Sequence, residues 1–205
     1  MTLRPVMTSV VLAAVWLGWP GAASAGLFGD EVKTYVAPGR LFSAQVPTGW
    51  TIREGGQTGK NPDEVQFVPA GPDDAVLHVR RVPVPAGADP IQVALRALDE
   101  RLSKMPMFKL ASKKRVTVAG KKAASITGVY AFQGNLQYPR AIEEVFVVVG
   151  EEAFVLHFDC FQAMAASYAD AVNRFYQSFT PRPTEGATDD SGEAVPFPEI
   201  ETMPF

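Results

Sequence analysis

The chain is short of the residue types that most enzyme chemistry requires. Its 205 residues hold one cysteine, Cys160, and two histidines, His78 and His157. A lone cysteine excludes an internal disulfide, so burial of a core must hold the fold together. Two imidazoles and one thiol cannot fill the ligand set of a zinc or copper site unless carboxylates complete it. No sign of charge dominates either: 19 Lys and Arg stand against 22 Asp and Glu, a net charge of −3. Six of those acids, Glu185, Asp189, Asp190, Glu193, Glu199 and Glu201, follow Thr180, with only Arg182 beside them. With these residues and Arg4 set aside, positions 26–179 carry 17 basic and 16 acidic side chains. That near-neutrality excludes the concentrated basic face that nucleic-acid binding needs. Several motifs are missing as well. "EGGQTGKNPD" has glycines before Lys60 but lacks the Gly-Lys-Ser/Thr end of a phosphate loop, and no helix follows it. There is no nucleophile elbow, glycosidase carboxylate pair or dinucleotide fingerprint, so neither a cofactor nor an enzyme activity is expected.

What is present begins with a secretory pattern over residues 1–25. Arg4 supplies a positive start, "PVMTSVVLAAVWLGW" an apolar run, and Pro20-Gly21 a break before Ala23-Ser24-Ala25, the small side chains a signal peptidase accepts. The apolar run is shorter than the about 20 residues a spanning helix needs. Gly26 follows Ala25, leaving no cysteine there for lipid attachment. The expected mature protein is soluble, periplasmic or secreted, with no transmembrane segment. Residues 26–39 read as an N-terminal extension, 40–180 as one domain, and 181–205 as an acidic disordered tail rich in Pro, Gly and Ser. Phe197 and Phe205, each after a proline, are that tail's candidate docking residues.

Along the middle, periodicities alternate between two and about 3.6. "GRLFSAQVPTGW" reads as a half-buried strand with Phe42, Ala44 and Val46 inward, turning before Trp50. "TIREGGQTGKNPDE" reads as a polar loop, "VQFVPAG" as a short strand, and "AVLHVRRVPVP" as a longer one whose prolines suit an edge or an exit. "ADPIQVALRALDERLSKM" is a helix capped by Asp89 with Pro90 at its first position. Ile91, Leu95, Leu98, Leu102 and Met105 form its apolar face, with Arg101 placed elsewhere. Two hairpins follow, turning at Ala119–Lys122 and at Gly150–Glu152, and then a helix whose inward face is Tyr168, Val172, Phe175 and Phe179. Hairpins argue against a parallel, doubly wound sheet. The expected class is α+β: an antiparallel sheet flanked by two main helices, one on each face.

The strand ending "VPTGW", the helix before long hairpins with a "VAGKKA" turn, and the closing helix ending "QSF" carry a likeness. From about Arg40 to Phe179 the chain resembles the PsbP-like α/β/α sandwich family, which includes bacterial DcrB-type envelope proteins. The resemblance implies a non-enzymatic accessory, binding or assembly role outside the cytoplasm, and it supplies no active-site residues. DcrB-type members resemble lipoproteins, and the lipidated cysteine is not matched here.

The stretch "VLHFDC" gathers His157, Asp159 and Cys160 within four positions. On a strand, successive side chains face opposite ways. His157 and Asp159 then share one face, and Cys160 turns to the other with Leu156 and Phe158, as a small buried hydrophobe. A local Cys–His pair is geometrically refused. His157, Asp159 and, from another strand, His78 are the candidate metal ligands, or the residues of a small hydrolase. Lys113, Lys114, Arg115, Lys121 and Lys122 gather toward one end of a hairpin, where they could meet an acidic partner or, peripherally, anionic lipid. Trp50 and Tyr138 are candidate aromatic anchors, and the loops 53–63 and 133–139 candidate contact surfaces. The overall expectation is an exported, non-catalytic accessory protein contacting a protein partner in the cell envelope or a small ligand.

Overall fold

The computed structural model describes residues 31–55, 64–70, 75–105, 107–135 and 137–182. The secretory segment 1–25, most of the acidic tail with Phe197 and Phe205, and the loop positions 56–63 lie outside the described residues. Among the described residues, ten strands and two long helices follow in the order β1 (Val32–Val36), β2 (Phe42–Pro47), β3 (Thr51–Glu54), β4 (Val65–Val68), β5 (Val76–Pro83), α1 (Pro90–Lys104), β6 (Lys109–Val118), β7 (Lys121–Ala131), β8 (Pro139–Val149), β9 (Glu152–Phe161), α2 (Ala165–Ser178) and β10 (Thr180–Pro181).

The strands form two sheets. Seven run β3-β4-β5-β9-β8-β7-β6, and three form a smaller sheet, β1-β2-β10. All pairings are antiparallel. The fold is α+β, as the hairpin pattern predicts. β3 corrects the reading of "TIREGGQTGKNPDE" as loop throughout: Thr51–Glu54 pairs with β4. Its four residues are too few for a period to emerge. β1 lies within the 26–39 stretch and zips along β2 from Val32 opposite Pro47 to Val36 opposite Ser43. β5 runs between β4 and β9, with Pro83 as its last residue, so the proline marks an exit and not an edge.

Each face of the large sheet has its own core. On one face α2 and the small sheet enclose Phe42, Phe67, Leu77, Phe154, Leu156, Phe158, Phe175 and Phe179. On the other, α1 covers Ala124, Ile126, Ile142, Phe146 and Val155. α1 starts where its sequence dictates, because the Asp89 carboxylate accepts from Ile91 N–H at 3.0 Å and Pro90 needs no donor there. Arg115 grips the same carboxylate with two bonds of 2.7 Å, tying the start of α1 to β6. The last turn differs from expectation. Leu102 is 56% exposed, and Arg101 faces the sheet instead, drawn by the buried carboxylate of Glu144.

The turn between β6 and β7 sets both of its central residues at positive φ, Ala119 at 47° and Gly120 at 77°. That mirror-image turn matches the twist of the flanking strands. Further along β7, Gly128 leaves room for a ring: a Cβ there would lie 2.5 Å from Phe108.

Candidate functional site

One row of side chains crosses all seven strands of the large sheet. Register pairs Arg53 with Gln66, Gln66 with His78, and His78 with His157. It continues from His157 to Glu144, Ile126 and Lys113. The two histidines are therefore direct cross-strand neighbours, with ring centroids 6.0 Å apart. Local sequence could not announce this, because β5 and β9 are separated by α1 and two hairpin strands plus β8.

The row belongs to the face that carries α1. That helix packs over β6, β7 and β8, which leaves His78 and Gln66 on β5 and β4 half-buried beside it. Polar groups at this boundary pair with one another. His78 Nδ1–H donates to Glu64 Oε1 at 2.7 Å. His157 Nδ1–H donates to Glu144 Oε1 at 2.9 Å, and the Arg101 guanidinium reaches the same carboxylate at 2.5 Å. Glu144 is fully buried. Burial by itself would raise its pKa, but the hydrogen bonds from His157 and Arg101 outweigh that and hold it at about 2.

Asp159 closes the arrangement two residues along β9. It accepts from Arg140 Nε at 2.5 Å and from the Tyr130 hydroxyl at 2.8 Å, and lies 3.8 Å from His157 Nε2. Burial pushes the Asp159 pKa up; His157 and Arg140 outweigh it and leave the net shift downward. His157, likewise opposed by burial, is carried upward by the Asp159 and Glu144 carboxylates. His78 goes down, because burial dominates and the His157 charge adds to it. Two facing imidazoles are thus driven in opposite directions. Among the described residues, no group of three or more His, Cys, Asp and Glu side chains could hold a metal ion.

Beyond Asp159 the same face ends in a stack. The Arg140 guanidinium lies 5.4 Å from the Phe132 ring centre and 5.0 Å from that of Phe161. Tyr138 rests against Phe161 at 6.5 Å and is 57% exposed. Trp50, the other aromatic singled out from sequence, is buried in the α2-side core, and its Nε1 has no hydrogen-bond partner among the described residues.

The basic residues do not share one surface. Lys114 lines a groove on the α2 face, whereas Arg115, the next residue on the strand, turns to Asp89 at the start of α1. Lys113 is exposed opposite Ile126 on the α1 face. Lys121 and Lys122 follow the hairpin turn. Strand alternation separates what proximity in sequence suggested.

Cys160 is fully buried and packs in the α2-side core, on the opposite side of the sheet from His157. It also borders the groove, about 400 Å³ in volume, between α2 and strands β6 to β9. Lys114, Thr127, Glu143, Cys160, Ala169 and Asn173 line it. Glu143 and the groove are not among the sequence candidates; the acid stands beside Glu144 in "IEEV", and that doubling is the available signal, since two adjacent strand acids must face opposite ways.

No protein-family model matches the chain, and no curated protein does. Solved structures do match. Cyanobacterial PsbP (CyanoP) from Synechocystis sp. PCC 6803 superposes with a TM-score of 0.55 at 13% identity, covering 81% of this chain and 99% of that one. LpqN of Mycobacterium tuberculosis, involved in cell envelope biogenesis, gives 0.53 at 21% identity over 76% of this chain and 87% of its own. The Saccharomyces cerevisiae Ran-binding protein Mog1p gives 0.53 at 12% identity, covering 80% and 99%. At these identities the likeness is one of fold: the chain has the PsbP/Mog1 architecture, in agreement with the PsbP-like resemblance carried by its sequence.

Proposed function

We propose that this chain is an exported, non-catalytic accessory protein of the bacterial cell envelope. It docks on a protein partner through the α1-side face between His78 and Tyr138. The observation that carries the reading is the mutual pairing of the polar groups on that face. Its imidazoles and acids are committed to ion pairs, most of them buried, which makes a rigid, charge-balanced support, and the exposed Tyr138 ring stands at its end on a guanidinium–aromatic stack. An aromatic anchor held by its neighbours loses little freedom on binding, which is how interface hot spots gain affinity. Export is supported by the 1–25 secretory pattern, and no helix among the described residues is long and apolar enough to cross a membrane. LpqN's part in envelope biogenesis and Mog1p's binding of Ran supply precedents for such roles on this fold.

A metal-binding protein or small hydrolase using His78, His157 and Asp159 is the second reading, favoured by the approach of the two rings to 6.0 Å. A metal would have to displace the Glu64 and Glu144 contacts that now occupy each Nδ1.

Photo-cross-linking in the native cell tests the first reading. Benzoylphenylalanine installed at position 138 is expected to give one dominant protein adduct in the extracytoplasmic fraction, on a chain that begins at Gly26. The same group at Lys122 should give none. Tyr138→Ala should weaken the identified complex about 30-fold, the equivalent of about 2 kcal/mol. Equal adducts from both positions, or an uncleaved cytoplasmic chain, would sink the proposal. Stoichiometric metal in the purified protein would favour the second reading.

A further inference from the structure

The groove on the opposite face of the sheet holds a carboxylate that the fold leaves unused. Glu143 faces it from β8, with Thr127 opposite on β7 and Phe158 opposite on β9. No hydrogen bond among the described residues reaches the Glu143 carboxylate, and the Thr127 hydroxyl is already bonded to Ser112 Oγ at 2.8 Å. Lys114, exposed at the rim, makes no ion pair with it among the described residues. A half-buried carboxylate that faces a concavity without a protein partner keeps its acceptor positions open to a ligand. Burial without compensating bonds accordingly raises the Glu143 pKa, with Lys114 only partly offsetting it.

Apart from Ser112 and Asn173, the rest of the lining is largely apolar: Phe158 and Val172 on the walls, Ala141, Ala165 and Ala169 where small side chains leave the space open. A volume of about 400 Å³ falls in the range of small-ligand sites, roughly 300–1,000 Å³. We infer that the groove between α2 and β6–β9 binds a small amphiphilic amine. Its hydrocarbon body lies on Phe158 and Val172, and its N–H head donates to Glu143. The carboxylate selects the class. It accepts hydrogen bonds, and a charge-assisted bond in a desolvated site is stronger than a neutral one. A ligand carboxylate would face Glu143 repulsively, and an alcohol would offer a single neutral donor. The inference is independent of partner docking, because the groove and the His78–Tyr138 face lie on opposite sides of the sheet.

The test uses the full mature chain with octylamine, octanol and octanoate as probes, followed by amide and methyl NMR shifts. Octylamine is expected to bind saturably, with shifts confined to α2 and the β6–β9 face beneath it. Octanol and octanoate should bind at least about tenfold more weakly, in line with the worth of one charge-assisted hydrogen bond. Glu143→Gln should remove the preference for the amine and leave octanol binding unchanged. Ala169→Leu, at a half-buried position on the helix, should block all three probes while preserving the thermal midpoint. The inference fails if octylamine binds no tighter than octanol, or if Glu143→Gln leaves amine affinity unchanged. It fails equally if the shifts fall outside the groove, or if no probe binds and the space holds only water.

Discussion

The two histidines differ because of their neighbours and not because of their own chemistry. His157 sits between two acids, Glu144 and Asp159, whose carboxylates overcome the cost of burying its charge. His78 has one acid, Glu64, and faces the positive His157. The signs for stability follow. A His157 pKa raised above 6.5 adds stability that is complete below pH 6.5 and fades as pH climbs through the folded value. Glu144, lowered from 4.5 to about 2, adds stability present above pH 4.5 and lost as pH falls toward 2. Their pairing therefore supports the fold most strongly between about pH 4.5 and 6.5. His78, lowered by burial, works against the fold as pH drops below 6.5. In His157→Gln protein, the His78 imidazole should titrate at a higher pH than in the parent, measured by ¹H NMR, because a positive neighbour has gone. The stability gap between the two proteins in urea should be widest below pH 6.5 and narrow on the alkaline side. An unmoved His78 titration would mean the rings are electrostatically independent.

Helices and strands show how far periodicity carries. Asp89 and Pro90 mark the start of α1 correctly because capping is a local matter of donors and acceptors. The far end of the same helix departs from its apolar pattern. A hydrophobic count placed Leu102 inward, yet the sheet beneath that turn presents Glu144, so Arg101 takes the inward position. β1 and β3 escaped notice for a related reason: "VKTYV" and "TIRE" owe their strand state to the partners β2 and β4. Gly128 shows the opposite dependence, of a strand on what packs over it. An added Cβ would lie 2.5 Å from the Phe108 ring and 2.9 Å from the Lys109 carbonyl oxygen. The second contact is backbone and cannot rotate away. Gly128→Ala should therefore cost about 1–3 kcal/mol in denaturant unfolding, the usual penalty of overpacking. A neutral result would show that β6 shifts freely against β7.

The molecule as a whole depends on α2 and the turn after it. Phe179 meets Phe42 of the small sheet at 5.1 Å, Phe154 of the large sheet at 5.8 Å, and Phe175 of α2 at 6.1 Å. It is fully buried. The two sheets are thus joined through aromatic contact as well as through the chain between β2 and β3. Phe179→Ala should lower the unfolding free energy by about 3–5 kcal/mol and loosen β1–β2–β10 before the seven-stranded sheet. Faster amide exchange confined to the small sheet at mild denaturant would reveal that order, and a uniform change would refute it.

Alternation along β9 already assigned Cys160 and His157 to opposite faces, since the pleat admits no other arrangement for residues three apart. Cap, turn and helix period were equally readable, because each depends on atoms within a few residues. The meeting of His78 with His157, the capture of Glu144 by Arg101, and the concavity around Glu143 required the folded chain. The first two join elements distant in sequence, where no short turn sets the register, and the third needs α2 laid over the hairpin strands. Burial of both sheet faces chooses that register, and burial is a property of the assembled core.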